Sequence, residues 1–502
     1  MSVAPSSNPD SATAATPHSH PNRVEVLSDR GNRTGAYVLY WMQGAQRAHD
    51  NHALEYAVTH ANQLKIPPLV VFCLVDRYPE ANVRHYQFML EGLLDVQRDL
   101  RERGITFLVV HGDPPERIAE LAVRAALVVT DRAYLRVPKL WRAQLAERIN
   151  CSLISLDTNL VVPVRVASTR REYAARTIRP KIRTLFREYC RPVPTNDPHR
   201  NDPVIDDSVR PVPLEPIGRL LDSLELDANV PAVSDYYVGG STEALGRFRT
   251  FLSRRFFEYA TMRNEPKARA VSAMSPYLHF GQISPIRLAL EVWQVRRLDQ
   301  PVGQLSLEVT GETGAGADGA GHDSAMDDGL AENKRTYLEE LCVRRELAHN
   351  FVEYEPNYDS YDALPEWARI TLEKHRGDRR PARYDEARLD AADTNDPYWN
   401  AAMQEMKKTG FMHNYLRMYW GKQIITWTED ARSAFEIITR LNNRYFLDGR
   451  DPNSYTNVAW IFGLHDRPWP ERDVFGTVRT MNANVLRRKC DMEGYIRWVQ
   501  SL

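Results

Sequence analysis

The sequence predicts an α/β protein: an N-terminal doubly wound parallel sheet of Rossmann-like type, joined by a long linker to an all-α second half. Three observations predict it. Short β-branched runs alternate with amphipathic helical patterns near the start; a proline-rich acidic stretch follows; and from residue 243 onward helical periodicity continues with almost no strand signal.

Taken in order, residues 1–30 are rich in Ser, Ala, Pro, Asn and His, bury too little apolar area to offset ordering entropy, and are expected to form a disordered tail. Residues 31–165 carry strand runs at Tyr37 to Trp41, Leu69 to Leu74, Thr106 to Val110, Leu127 to Thr130 and Leu153 to Leu156. Amphipathic helices lie between them near 51–64, 84–103, 114–124 and 137–149, the alternation that builds a parallel sheet with ligands at the strand carboxyl ends. No G-x-G-x-x-G or G-x-x-x-x-G-K-[ST] element accompanies these strands, so a dinucleotide or triphosphate site there is unsupported. Residues 166–242, with Pro192-Val-Pro and Pro211-Val-Pro, read as the linker between domains, and 243–502 as the helical domain, interrupted by a Gly-, Ala- and Asp-rich insertion at 310–329 expected to be a flexible loop.

Composition narrows the function classes. A formal net charge of −1 gives the whole molecule no pull on polyanions, so any nucleic-acid footprint must be local. The cysteines stand singly without C-x-x-C spacing, which suggests neither a metal site nor a disulfide framework and fits a reducing compartment. No window approaches the roughly 18 unbroken apolar residues of a membrane span, and no secretory leader is visible. Ten tryptophans and 23 tyrosines fill cores and also suit stacking on flat rings.

Chemistry concentrates in the second half. In Val271-Ser-Ala-Met-Ser-Pro-Tyr, Ser275 precedes a proline at the start of a helix, a capping pattern whose free N–H groups also suit phosphate. Downstream, Asn414, Arg417 and Met418 share one face of a helix, an arrangement suited to a flat heterocycle. The run Glu339-Glu-Leu-Cys-Val-Arg-Arg-Glu346 reads as a charged helix. Trp420 and Trp427 stand two turns, about 10.5 Å, apart on nearly one face. The densest cationic runs are Lys374-His-Arg-Gly-Asp-Arg-Arg-Pro-Ala-Arg383 and Arg487-Arg-Lys489.

Three strings, S-A-M-S-P-Y-L-H-F-G-Q-I-S-P from Ser272, E-E-L-C-V-R-R-E-L-A from Glu339 and T-G-F-M-H-N-Y-L-R-M-Y-W from Thr409, resemble the photolyase and cryptochrome superfamily. The match runs from about residue 35 to the C-terminus and fits the class II cyclobutane pyrimidine dimer photolyases best. The resemblance implies FAD, active as reduced FADH−, in the helical domain. It implies that Tyr259, Val271, Ser272, Ala273, Met274 and Ser275 face the flavin phosphates, that Asn414 and Arg417 line the isoalloxazine, that Asp448 pairs with Arg417, and that Asn442 lies near flavin N5. It makes Glu340 the carboxyl group on the damaged thymine, with Trp460 and Met418 packing on the lesion. Class I relatives carry Trp where this chain has Val343, so stacking must come from elsewhere. Trp420, Trp399 and Trp427, taken in that order outward, resemble the class II electron relay.

The partner so implied is ultraviolet-damaged DNA, met through Arg263, Arg344, Arg379, Arg380, Arg487, Arg488 and Lys489 by a monomer that binds no metal and no membrane. The location implied is the cytoplasm with the nucleoid in a bacterium or archaeon, or the nucleus in a eukaryote. An antenna chromophore, deazaflavin or folate, is left open, since Arg47-Ala-His-Asp-Asn-His52 is not diagnostic. Two alternatives use the same flavin site: a blue-light photoreceptor of the cryptochrome kind, and a (6–4) photolyase, which needs a catalytic histidine in the lesion pocket. Glu340, Met418 and Trp460 together favour dimer repair.

Overall fold

The computed structural model describes residues 20–31, 33–296 and 323–502. Its N-terminal half is a six-stranded sheet in the order β1-β6-β5-β2-β3-β4, with β1 (Val24–Ser28), β2 (Tyr37–Met42), β3 (Pro68–Leu74), β4 (Thr106–His111), β5 (Ala125–Asp131) and β6 (Ser152–Leu156). The five strands β2 to β6 are parallel, and strand order reverses at β2, which pairs with both β3 and β5. Both faces of β2 are buried. Val38, Tyr40 and Met42 pack under α1 (His52–Leu64) and α2 (Val83–Glu102), while Tyr37, Leu39 and Trp41 pack under α3 (Pro114–Ala122) and α4 (Arg136–Arg148). Burial on two sides explains why these strands read as continuous apolar runs instead of alternating ones.

Three expectations change. The tail expected over 1–30 contains the edge strand β1, which pairs antiparallel with β6; residues 1–19 lie outside the described residues. What fixes this segment is Arg23, whose buried guanidinium donates to the carbonyls of Asp157, Leu160 and Val161 at 3.0, 3.1 and 2.6 Å. The linker expected over 166–242 holds the helix Ala175–Tyr189, whose Ile178 and Ile182 pack with Leu341 and Val343 in the helical half. Pro180 inside that helix obscured it in the sequence. Of the insertion at 310–329, residues 310–322 lie outside the described residues and 323–329 open the helix Asp323–Leu338.

Buried arginines lock the two halves together. Arg84 of α2 donates to the carbonyls of Pro231, Met406, Tyr445 and Lys407 at 3.0, 3.1, 2.6 and 2.5 Å. Those acceptors offset the desolvation that lowers its pKa to about 10. Arg47 reaches Gly281 O at 2.8 Å, just after the helix Ser275–His279. Gly281 has φ +65°, and a Cβ there would lie 2.0 Å from Gly44 O, so only glycine permits this approach. Among the described residues no helix is long and apolar enough to cross a membrane.

Candidate active site

The site grows from the helix Asn414–Trp427, which starts immediately after a left-handed turn at Gly410 ends the helix Pro397–Thr409. His413 caps it, its ring accepting the N–H of Tyr415. One turn in, Arg417 Nη2 donates to Asp448 Oδ2 at 3.0 Å, its Nε donates to Met412 O at 3.1 Å, and its guanidinium lies 3.9 Å from the centre of the Phe446 ring. Pairing offsets the desolvation of two largely buried charges. Yet Asp448 Oδ1 is buried without a partner. Arg417 Nη1 bonds no acceptor among the described residues, although it is not shielded from solvent as that oxygen is. A buried unpaired carboxylate oxygen is uncommon in a folded protein and leaves acceptor capacity beside the guanidinium. Asn442, buried on the helix Ala431–Tyr445, donates its Nδ2 to Asn443 Oδ1 at 3.0 Å. Asn414, at the first turn, is exposed.

A second group of residues gathers around Tyr259 and Glu340. Tyr337 donates to Ser272 Oγ at 3.1 Å, and its ring lies 5.4 Å from that of Tyr259. Arg263 sits 5.5 Å over Tyr259 and pairs with Glu340 Oε1 at 2.8 Å. The helix expected here departs from α geometry: Glu339–Arg344 forms a π-helical turn, which widens the helix where Glu340 projects. Arg344 lies 5.5 Å over the ring of Trp460, and both Trp460 and Met418 are half-buried. His413 lies between the two groups. Burial, with Arg263 and Arg417 adding to it, lowers its pKa to about 4, which favours the neutral ring near pH 7.

The Val271 to Ser275 cradle is more specific than its sequence reading. The short helix starts at Ser275 with Met274 in the capping position and no side-chain cap, so Ser275 is not the cap the pattern suggested. Ala273 adopts φ +55°, an uncommon conformation for a residue with a Cβ, and Met274 points into the core. Val271 and Ser272 are half-buried.

The three tryptophans meet. Trp399 and Trp420 stack at 6.5 Å and 9°, Trp399 Nε1 donates to Trp420 O at 3.0 Å, and Trp427 meets Trp399 edge-on at 5.5 Å. Trp399 is therefore the middle member. Phe446 bridges from Arg417 to Trp420, and Tyr384 packs edge-on against Trp427 at 5.2 Å. Sequence reasoning missed Tyr337, Phe446 and Tyr384. Tyr337 lies three residues before Glu340, a helical spacing that was available as a signal; Tyr384 carried none.

The cationic residues separate. Arg379, Arg487, Arg488 and Lys489 are exposed, Arg487 also donating to Tyr398 OH at 3.0 Å. Arg380 is corrected: it is 9% exposed, donates to Glu429 O, and is too buried to meet phosphate. Arg263 does not stand free either, being paired with Glu340. The exposed Trp469, flanked by Arg467 and Arg479 at 5.7 and 5.1 Å, was not singled out as a contact residue.

A separate cavity lies at the carboxyl ends of β2 and β3, between the sheet and the helical half. Trp41, Phe72, Tyr78, Met89 and Trp141 form its apolar walls; His279, Arg345, Arg450 and Asp451 lie on its polar side.

Comparison with known proteins agrees with this arrangement. The family model described as DNA photolyase matches residues 38–199. The chain is 41% identical to the deoxyribodipyrimidine photo-lyase of Methanothermobacter thermautotrophicus over 96% of its own length and 99% of that protein's. It is 36% identical to the deoxyribodipyrimidine photo-lyase of Arabidopsis thaliana, covering 97% and 95%. The crystal structure of a class III photolyase from Agrobacterium tumefaciens superposes with a TM-score of 0.65 at 18% identity, covering 93% of this chain and 87% of that one. The sheet, the helical half behind it and near-full-length identity to these relatives lead to one conclusion: the chain belongs to the DNA photolyase family.

Proposed function

We propose that the protein repairs cyclobutane pyrimidine dimers in DNA under light, as a class II enzyme of this family. The observation that carries the reading is the Arg417–Asp448 pair with its orphaned Oδ1, joined through Phe446 to a packed tryptophan chain. Reduced FAD, when bound, supplies the electron that opens the cyclobutane ring once light excites it.

The residues fit that group. Asp448 Oδ1 needs a donor, which a flavin ring N–H provides, and Arg417 offers positive charge where a reduced isoalloxazine is anionic. Ser272, held by Tyr337, and the uncapped first turn at Ser275 offer hydroxyl and N–H donors to phosphates. Asn414 and Asn442 complete the ring's surroundings.

Glu340 and Arg263 act together on the lesion. Flipping a damaged pair out of the duplex requires only a few kcal/mol because it stacks poorly. The Glu340 carboxyl then accepts from thymine N3–H, and the adjacent guanidinium stabilises charge developing on the thymine carbonyl. Trp460 and Met418 supply the apolar wall, and Arg344 over Trp460 adds a cation at the rim. The packed rings Trp420, Trp399 and Trp427, with Tyr384 against the last, would form the path by which electrons reach bound flavin. DNA lies against Arg379, Arg488, Lys489 and the Trp469 loop, with the protein acting as a monomer. The cavity at the ends of β2 and β3 is where an antenna chromophore would lie, and an absorption spectrum of purified protein tells deazaflavin, folate and neither apart.

The test is anaerobic illumination of reduced protein with a dimer-containing oligonucleotide, followed by chromatography. Restored thymines are expected; reduced, flavin-loaded protein that releases none refutes the proposal.

A further inference from the structure

The helical half does not set Asn442 alone. Asn443 Oδ1 accepts from Asn442 Nδ2 at 3.0 Å and from the backbone N–H of Arg450 at 2.9 Å. Its Nδ2 donates to Glu80 Oε2 at 2.5 Å, and Glu80 belongs to the turn between β3 and α2 in the other half of the molecule. Asn443 is 1% exposed and Asn442 is 5% exposed, so both amides belong to the packed interior.

Amide ends are hard to tell apart by shape, but donors and acceptors settle the direction here. The Arg450 N–H can only donate, so the Asn443 atom facing it is the oxygen. The Asn443 amino group must then be the end that meets the Glu80 carboxyl. Since Asn443 oxygen takes the amino group of Asn442, the end of Asn442 left over is Oδ1, which accepts no hydrogen bond from the described residues. The two anchoring turns are themselves unusual: Glu80 has φ +59° and Arg450 φ +62°, and Arg450 Nη1 donates to the carbonyls of both Asn443 and Glu80 at 2.8 and 3.4 Å. Such conformations persist where surrounding bonds over-determine them.

We infer that Glu80 and Asn443 are positioning residues that fix the polarity of Asn442, so that it meets the flavin as a hydrogen-bond acceptor. An acceptor there favours the ring N–H that reduction creates and offers nothing to the unprotonated oxidised ring. The sheet half thereby tunes the redox balance of a cofactor held in the helical half. The inference rests on the proposal that FAD lies against Asn442.

The test uses the flavin-loaded full chain, equilibrated in the dark with a redox dye, and reads the ratio of oxidised to reduced flavin. Asn442→Ala is expected to raise that ratio by roughly fivefold, the change expected from losing one net hydrogen bond. Glu80→Lys, which presents only donors to a donor, should raise it similarly, whereas Glu80→Gln, which keeps an acceptor oxygen, should stay within about twofold of the parent. In the Asn442→Ala background Glu80→Lys should add nothing. Glu80 is exposed, so these variants spare the core. A parental ratio in Glu80→Lys while Asn442→Ala shifts, or an equal shift in both backgrounds, overturns the inference. An unshifted Asn442→Ala removes Asn442 from the flavin and the inference with it, while a parent chain that binds no flavin sinks the proposed function itself.

Discussion

Arg263 and Glu340 form an ion pair at 2.8 Å, with Glu340 Oε1 held against a guanidinium that also stacks on Tyr259. The carboxyl proposed to touch the thymine is thus already oriented before DNA arrives, and its partner cation is positioned for charge that appears only during ring opening. Preorganisation of this kind acts on the reacting state without stabilising the resting one.

Glu340→Ala is expected to lower the yield of dimer splitting by about five- to tenfold, the effect of losing one or two hydrogen bonds to a developing charge. Flavin content should stay at the parental level. Chromatography of illuminated oligonucleotide checks the first expectation and absorbance of the protein the second; an unchanged yield takes Glu340 out of the lesion contact.

Trp420→Phe and Trp399→Phe should each stop light from reducing oxidised flavin, since both are buried steps between Arg417's surroundings and Trp427. Repair by chemically reduced protein should persist. Photoreduction followed by absorption, beside a repair assay started with dithionite, separates the two, and normal photoreduction in either variant breaks the chain at that residue.

Asp448→Ala leaves Arg417 buried with no counter-charge and is expected to destabilise the protein by about 3 kcal/mol, with loss of flavin. Changing both, Arg417→Met with Asp448→Ala, should recover part of the stability without restoring the cofactor. Thermal unfolding of the three proteins, with flavin content measured in each, decides the matter.

Two buried carboxyl groups predict a pH dependence. Burial raises Glu346 to about 8 and Glu405 to about 7. Glu346 accepts the N–H groups of Val161 and Val162, and Glu405 bonds Tyr495. A carboxyl whose folded pKa lies above its unfolded value, near 4.5, binds more protons when folded. Its contribution is complete below that unfolded value and disappears as pH rises through 7 to 8. Glu405→Gln, which stays neutral and keeps a bond to Tyr495, should therefore gain stability relative to the parent between pH 5 and pH 8. Chemical unfolding at the two pH values tests this, and a constant difference contradicts it.

The strands of the sheet could be read from the sequence because β-branched residues buried on both faces leave little ambiguity; Tyr37 to Trp41 lies entirely inside β2. The edge strand β1 could not, since its five residues are only half-buried and its partner, β6, lies far along the chain. Long strings around Ser272, Glu340 and Arg417 made the candidate site legible, and the tryptophan spacing placed two of the three packed tryptophans on one helix. What stayed hidden depended on contacts between remote segments. Arg380 looked like its exposed neighbour Arg379, yet the fold turns it toward Glu429 O. Glu80 and Asn443 are separated by 363 positions, and neither belongs to a motif.

The Arg84 side chain carries a consequence for the molecule as a whole. Four carbonyl oxygens, two of them at the end of the helix Pro397–Thr409 and one at the end of the helix Ala431–Tyr445, are satisfied by a single guanidinium from the other half. Cut from its companion, the helical half would lose this donor at the ends of the segments that carry Trp399 and Asn442, leaving Met406 O with only the Gly410 N–H. The two halves accordingly share hydrogen bonds that neither can make alone, which couples the stability of one to the other.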